Sequence, residues 1–299
     1  MVVSKVCVVG SGYLGTQIGV LSAKSGYKVS MQDLSAEALS GSKKAVNGYV
    51  QEWITEGNIS EQEGEAIKGR MSYTVDLADA VQGAELVIEA VVERLDVKRE
   101  VFKKLDELCE PGVVLATNSS SIKVSKIEGA TRHPERVLNM HFYSHPWRRR
   151  ILELMRGTST TDEAMEAARK FSYSIGVKPL IVLKESTGFI FNRVWRAIKK
   201  ESLTVLDEGV ASFEDVDRAW MSLYGTDMGP FGLMDRVGLD VVRDIEMVYY
   251  GESGDSKDLP PEVLLERISK GELGVKTGKG FYTYPDPEYR ESGWLIREE

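Results

Sequence analysis

His141 and Glu153 stand twelve residues apart, each inside an apolar segment, in the tract Asn139-Met140-His141-Phe142-Tyr143-Ser144-His145-Pro146-Trp147-Arg148-Arg149-Arg150-Ile151-Leu152-Glu153-Leu154. An imidazole exchanges a proton near neutral pH, and a carboxylate hydrogen-bonded to one ring nitrogen fixes which nitrogen carries it. Glu153 lies between Leu152 and Leu154, so strand alternation aims its carboxylate to the face opposite the two leucines. Two flanking strands would bring imidazole and carboxylate into contact as a proton-transfer pair. Taken singly, His141 reads as a satisfied core histidine and Glu153 as a solvated edge residue, and spacing alone leaves the choice open. The three arginines between them suit bidentate binding of a carboxylate or phosphate, or form a run whose members are simply solvated. His145 is a further ionisable group in the same run.

A strand ending in a glycine-rich turn lies upstream of this pair. Lys5-Val6-Cys7-Val8-Val9 is short and β-branched, as in a buried parallel strand. Gly10, Gly12 and Gly15 follow as G-x-G-x-x-G with Ser11, Tyr13 and Leu14 between them, then a helical stretch to Ser25 stopped by Gly26. Such a turn lets backbone approach a pyrophosphate, which the free N–H groups of the helix start receive. Lys28–Asp33 is a second strand, and Asp33 falls 23 residues after Gly10, where a carboxylate accepts hydrogen bonds from an adenosine ribose. That carboxylate repels a 2′-phosphate and no arginine follows it closely, which selects NAD over NADP. The alternative for Asp33 is a cap on the next helix, and for the glycines a turn made for packing. With a nicotinamide taking a hydride, His141 and Glu153 would move the accompanying proton.

The pattern predicts an α/β fold: a Rossmann-type NAD-binding domain with a projecting helical hairpin, followed by an all-α C-terminal domain. The hairpin spans Ala36 to about Arg70, with Ser60 and Glu63 placed as a capping box. Further strands are expected at Glu85–Ala90, Val113–Thr117, Val137–Phe142, Ile151–Met155 and Lys178–Leu183, with helices at Lys98–Glu110 and Ala164–Ile175. After Gly188 only helices are expected, at Phe189–Gly209, Phe213–Leu223, Gly232–Tyr250 and Pro261–Lys270. The domains divide as 1–186 and 187–299.

The 299 residues carry a formal charge of −8 and a pI near 5.2, which argues against nucleic acid as a partner. Two cysteines, Cys7 and Cys109, make no disulfide framework, so a reducing cytoplasm is expected. No metal site is expected. The opening Met1-Val2-Val3-Ser4-Lys5 does not read as a secretory signal, and no run is apolar enough to span a membrane, so a soluble protein is expected.

Several ordered motifs make the chain similar to the 3-hydroxyacyl-CoA dehydrogenase family over nearly its whole length. They are Gly10–Gly15, Val87-Ile88-Glu89-Ala90-Val91-Val92-Glu93, Thr117-Asn118-Ser119-Ser120-Ser121-Ile122, Ser186-Thr187-Gly188-Phe189-Ile190-Phe191-Asn192-Arg193, Gly229–Asp235 and Gly274–Tyr282. The resemblance implies NAD-dependent oxidation of a 3-hydroxyacyl-CoA, with His141 as general base and Glu153 as its partner. It implies further that Ser120 holds the reacting oxygen and Asn192 the substrate. Gly10, Gly12, Tyr13, Leu14, Gly15, Asp33, Glu93, Lys98, Asn118 and Lys276 are then the cofactor-binding residues. By the same resemblance the helical domain pairs into a homodimer, with Trp195, Trp220 and Phe231 as candidate apolar contacts or core.

The chain departs from the family where His-Phe-Phe-Asn-Pro becomes His141-Phe142-Tyr143-Ser144-His145. Ser144 replaces an amide with a single hydroxyl. Arg148–Arg150 stand where small and apolar residues are usual. A free hydroxy acid is therefore the alternative substrate to an acyl-CoA, and a non-catalytic NAD-binding protein the rival from another class.

Overall fold

The computed structural model describes residues 4–296 as two compact units, residues 1–190 and 191–299. Met1–Val3, part of the expected leaderless start, lie outside the described residues. The first unit is an eight-stranded sheet. Its strands are β1 (Lys5–Val9), β2 (Lys28–Gln32), β3 (Met71–Thr74), β4 (Leu86–Glu89), β5 (Val114–Thr117), β6 (Val137–Phe142), β7 (Ile151–Arg156) and β8 (Lys178–Val182). Their order is β3-β2-β1-β4-β5-β6-β7-β8. Every neighbouring pair is parallel except β6 with β7. The order reverses between β1 and β4, the place where open α/β sheets form a ligand crevice.

Helices cover both faces: α1 (Tyr13–Lys24), α2 (Ala36–Thr55), α3 (Glu61–Gly69), α4 (Leu77–Val81), α5 (Leu95–Leu108), α6 (Pro146–Arg149) and α7 (Asp162–Ser174). Strand alternation builds two cores. Val6, Val8, Leu138, Met140, Leu152 and Leu154 pack with α1, α2 and α7 on one face. Cys7, Val9, Val87, Leu115 and Val137 pack with Phe102 and Leu105 on the other. Burial pushes the Cys7 thiol up to about 12, which leaves it an inert core residue.

The α2–α3 pair is the expected hairpin, and Ser60 and Glu63 form the capping box that starts α3. It does not stand free of the sheet. Leu39, Val46, Val50, Trp53 and Ile67 are buried in the first core. The sequence reading has no counterpart for β3 or α4, a half-exposed four-residue strand and a five-residue helix.

The second unit is helical: α8 (Phe191–Asp207), α9 (Phe213–Tyr224), α10 (Pro230–Val237), α11 (Leu239–Ser253) and α12 (Glu262–Ser269). The single helix expected over 232–250 is two, because Gly238 adopts φ 105° and ends α10. Phe231 is fully buried with Met234, Leu239 and Val242, so it is core and not surface. Trp195 packs partly against that core, whereas Leu223 and Tyr224 are exposed. Among the described residues no helix is long and apolar enough to cross a membrane.

Candidate active site

β6 and β7 form an antiparallel pair in which His141 stands directly opposite Glu153. The short return through Tyr143–Arg150 makes that antiparallel pairing possible. His141 Nδ1 lies 2.8 Å from Glu153 Oε2, and both side chains are buried. The other carboxylate oxygen, Oε1, accepts the Ile190 backbone N–H at 2.7 Å. Glu153 is thus held at both oxygens, and Nδ1–H donates to it. That leaves Nε2 as the ring atom for taking a proton from elsewhere. Tyr143 and Phe189 flank the imidazole, with ring centroids 4.8 and 5.3 Å away. Burial and the charge of Glu153 push the Tyr143 phenol well above the usual tyrosine range.

A second charged group lies at the C-terminal ends of β4 and β5. Lys98, almost wholly buried, places Nζ 2.8 Å from Glu89 and 3.2 Å from Glu93. Glu89 also accepts from Thr117 Oγ1 and from the Val91 N–H, each at 2.7 Å. Glu93 Oε1 receives the hydroxyls of Ser119 and Ser121 and the backbone N–H groups of Ser120 and Ser121. Burial opposes the charge on Glu93, but Lys98 and the two serines outweigh it and hold its carboxyl below the usual range. Ser120 joins this cluster through its backbone amide. Asn118 uses Oδ1 to accept the Phe142 N–H at 2.8 Å, and so ties this loop to the end of the His141 strand. Asn139 donates to the Ser119 carbonyl at 2.9 Å.

The glycine turn fits a dinucleotide. Gly10 has φ 99°, and a Cβ there would meet the Ala90 carbonyl oxygen at 2.5 Å. A Cβ at Gly15 would sit 2.0 Å from the Gly10 oxygen, so the helix can approach the strand only with glycine at that point. Nothing lies within 4 Å of the position a Gly12 Cβ would take, and α1 starts there without a side-chain cap. Its first N–H groups remain for an anion. Asp33 accepts Ser11 N at 2.9 Å and Ser11 Oγ at 3.0 Å, which braces the turn, and its other oxygen accepts Ser35 N. Ser35, not Asp33, caps α2. Beside them lies a cavity of about 790 Å³ lined by Gly10, Gly12, Leu34, Val75 and Val91 among others, a largely apolar slot whose charged lining residues are Asp33, Asp76, Lys104 and Glu107. That is the environment an adenosine half requires. Tyr13 is exposed at the helix start, its hydroxyl 3.5 Å from His145 Nδ1, and Leu14 packs inward.

Asn192 and Lys276 belong to the second unit. Asn192 is half-buried in the first turn of α8, and Lys276 Nζ is 2.5 Å from Asp240. Glu89, Thr117 and Tyr143 were not singled out by the sequence reading. A glutamate closing a buried strand nine residues before a lysine was the available signal for Glu89.

An open, parallel-dominated sheet with this glycine turn and crevice defines an NAD-binding dehydrogenase domain. The family model described as "3-hydroxyacyl-CoA dehydrogenase, NAD binding domain" matches residues 5–186, and "3-hydroxyacyl-CoA dehydrogenase, C-terminal domain" matches residues 188–284. The chain belongs to the 3-hydroxyacyl-CoA dehydrogenase family. It is 34% identical over 284 residues to the 3-hydroxybutyryl-CoA dehydrogenase of Mycobacterium tuberculosis, covering 94% of this chain and 99% of the relative. It is 34% identical over 283 residues to the 3-hydroxyadipyl-CoA dehydrogenase of Escherichia coli, covering 94% of this chain and 59% of that longer protein. The crystal structure of (S)-3-hydroxybutyryl-CoA dehydrogenase from Ralstonia eutropha superposes with a TM-score of 0.90 at 31% identity, covering 95% of this chain and 100% of that one.

Proposed function

We propose that this protein oxidises 3-hydroxyacyl-CoA thioesters of 3-hydroxybutyryl-CoA type to the 3-ketoacyl-CoA, with NAD as cofactor. The observation that carries the reading is the buried His141–Glu153 pair, 2.8 Å apart, with Nε2 of the ring left for a substrate proton. NAD, when bound, supplies the hydride acceptor. His141 Nε2 takes the proton of the substrate hydroxyl as its carbon is oxidised. Glu153 stabilises the imidazolium that results and, through its bond to Ile190 N, resists turning away. Ser120 offers its hydroxyl to the substrate oxygen. Asn192 holds the substrate.

Gly10, Gly12, Tyr13, Leu14, Gly15 and Asp33 would receive the adenosine and pyrophosphate. Glu93, Lys98 and Asn118 would receive the nicotinamide half, and Lys276 would assist from the helical unit. The same reading makes the protein a cytoplasmic homodimer. Its exposed Leu223 and Tyr224 on α9 are the apolar positions that such pairing would cover.

The test is NADH formation from 3-hydroxybutyryl-CoA and from free 3-hydroxybutyrate by the wild type and by His141→Ala. The thioester is expected to be the better substrate, with kcat falling about 10²–10⁴-fold in the variant. A loss of less than tenfold removes His141 from the general-base role, and preference for the free acid removes the thioester assignment.

A further inference from the structure

The three consecutive arginines have different fates. Arg148 pairs with Glu52 and Glu56 on α2, so its charge is used to strap the helical hairpin to this segment. Arg150 has φ 53° at the C-terminal end of α6, immediately before β7, and its carbonyl accepts Lys178 N at 2.9 Å. Its guanidinium acts on Lys24 of α1, whose ammonium is lowered by burial first and by Arg150 second. Arg148 is thus engaged with the hairpin, and Arg150 Nε donates to the Trp147 carbonyl at 3.4 Å.

Arg149 is placed otherwise. Its Nε donates to the Ser144 carbonyl at 2.9 Å, which folds the side chain back over the residues that follow His141. Its charge reaches the Tyr143 phenol, opposing the upward push of burial and Glu153 there, and the Tyr143 ring lies 4.8 Å from that of His141. The residue is exposed, and among the described residues it forms no ion pair, so the outer edge of its guanidinium remains for a partner. Ser144 is short enough that the arginine can lie against its backbone. His145, with φ 54°, precedes the single helical turn of α6, on which the successive Arg148 and Arg149 project about 100° apart. A guanidinium pinned through Nε keeps its two terminal nitrogens parallel, the geometry that matches a carboxylate.

We propose that Arg149 is a specificity residue that binds a carboxylate on the acyl part of the substrate while the hydroxyl is presented to His141. This rests on the reading of the protein as a 3-hydroxyacyl-CoA dehydrogenase. The favoured substrate is accordingly a dicarboxylic acyl thioester, whose distal carboxylate meets Arg149. A free 3-hydroxy acid presents its own carboxylate to the same group, and the assay separates the two sources.

NADH formation is measured with 3-hydroxyadipyl-CoA, with its methyl-ended counterpart 3-hydroxyhexanoyl-CoA, and with free 3-hydroxybutyrate, at low and high salt. The full-length wild type is compared with Arg149→Met, Arg149→Lys and Arg148→Gln. The wild type should prefer the adipyl over the hexanoyl thioester by about tenfold or more in kcat/KM, a preference that weakens with salt. Arg149→Met should abolish the preference, chiefly through KM, and Arg149→Lys should restore part of it. Arg148→Gln should leave the ratio as it is. Equal use of both thioesters by the wild type overturns the proposal. So does a preference that survives Arg149→Met or that Arg148→Gln removes equally. Turnover of the free acid alone, lost in Arg149→Met, refutes the thioester reading but keeps the carboxylate site. Turnover of none of the three refutes both.

Discussion

Two charged regions of the first unit are built on opposite plans. In the Glu89–Lys98–Glu93 group the ammonium and Glu89 are enclosed and Glu93 reaches the surface: one ammonium lies between two carboxylates, whose acceptor positions are taken by two serine hydroxyls, a threonine hydroxyl and backbone N–H groups. The Tyr143–Arg150 segment carries more formal charge but leaves much of it in solvent, with Arg148 58% exposed. Its order comes from an aromatic wedge instead. Trp147 packs edge-on against Tyr49 and Trp53, each 5.0 Å away. The Gln17 carboxamide oxygen accepts His145 N at 2.7 Å. The lesson is that burial with a full set of partners holds a charge in one place, while an exposed charge on a well-packed backbone stays open to a partner.

Removing the cation from the enclosed group should give the largest effect. Lys98→Met leaves the buried Glu89 carboxylate, and the partly solvated Glu93 beside it, without their counter-charge and is expected to cost roughly 3–5 kcal/mol in stability. NAD affinity should fall as well, read by calorimetry. Adding Glu89→Gln to it should restore part of the stability but not the affinity. A Lys98→Met protein within about 1 kcal/mol of wild type would show that the group does not behave as a closed unit.

The second unit offers a buried carboxylate with no cation against it, and it should respond to pH in the opposite sense to Glu93. Asp217 accepts Phe231 N, Gly232 N and Tyr282 Oη at 2.8, 3.0 and 3.0 Å, yet burial raises it from 3.8 to about 6. Between those values the folded state holds a proton that the unfolded chain has released. Its contribution to stability is therefore full below about 4 and is lost as pH rises through 6. Asp217→Asn should be less stable throughout, because an amide N–H must face a donor. Its stability should nonetheless lack that fall, a difference on the order of 2 kcal/mol over the window in chemical denaturation. Parallel curves for the two proteins would refute the assignment.

The smallest effect is expected at the exposed strap. Arg148→Gln should change stability by less than about 1 kcal/mol, since both glutamate partners are partly solvated. Limited proteolysis of the hairpin should register it sooner than thermal melting. A larger loss in melting would mean that the strap, and not the Trp147 wedge, holds the segment.

Much of this was legible in the chain. The glycine turn, the carboxylate ending the second strand and the capped hairpin follow from periodicity and spacing, whereas spacing left the His141–Glu153 pair open and the family resemblance chose it. The elements that escaped are short or half-exposed. β3 and α4 are too brief for a period to declare itself, and one glycine splits the helix expected over 232–250. Glu89 was marked only by closing a buried strand nine residues before Lys98, and that pairing shows its meaning once Lys98 folds back from α5. The sequence marks the arginine run as a departure from the family pattern, but the partners that separate its three members, and the left-handed His145 and Arg150 that bracket α6, are not revealed by spacing.

The antiparallel pairing of β6 with β7 has a consequence for how such an enzyme diversifies. The ladder from Leu138–Arg156 to Phe142–Leu152 holds His141 opposite Glu153, so the return through Tyr143–Arg150 has to keep its length but not its side chains. The loop is thus an interchangeable cassette: a relative's segment of the same length grafted between Phe142 and Ile151 would carry its substrate preference into this scaffold while the proton-transfer pair kept its alignment.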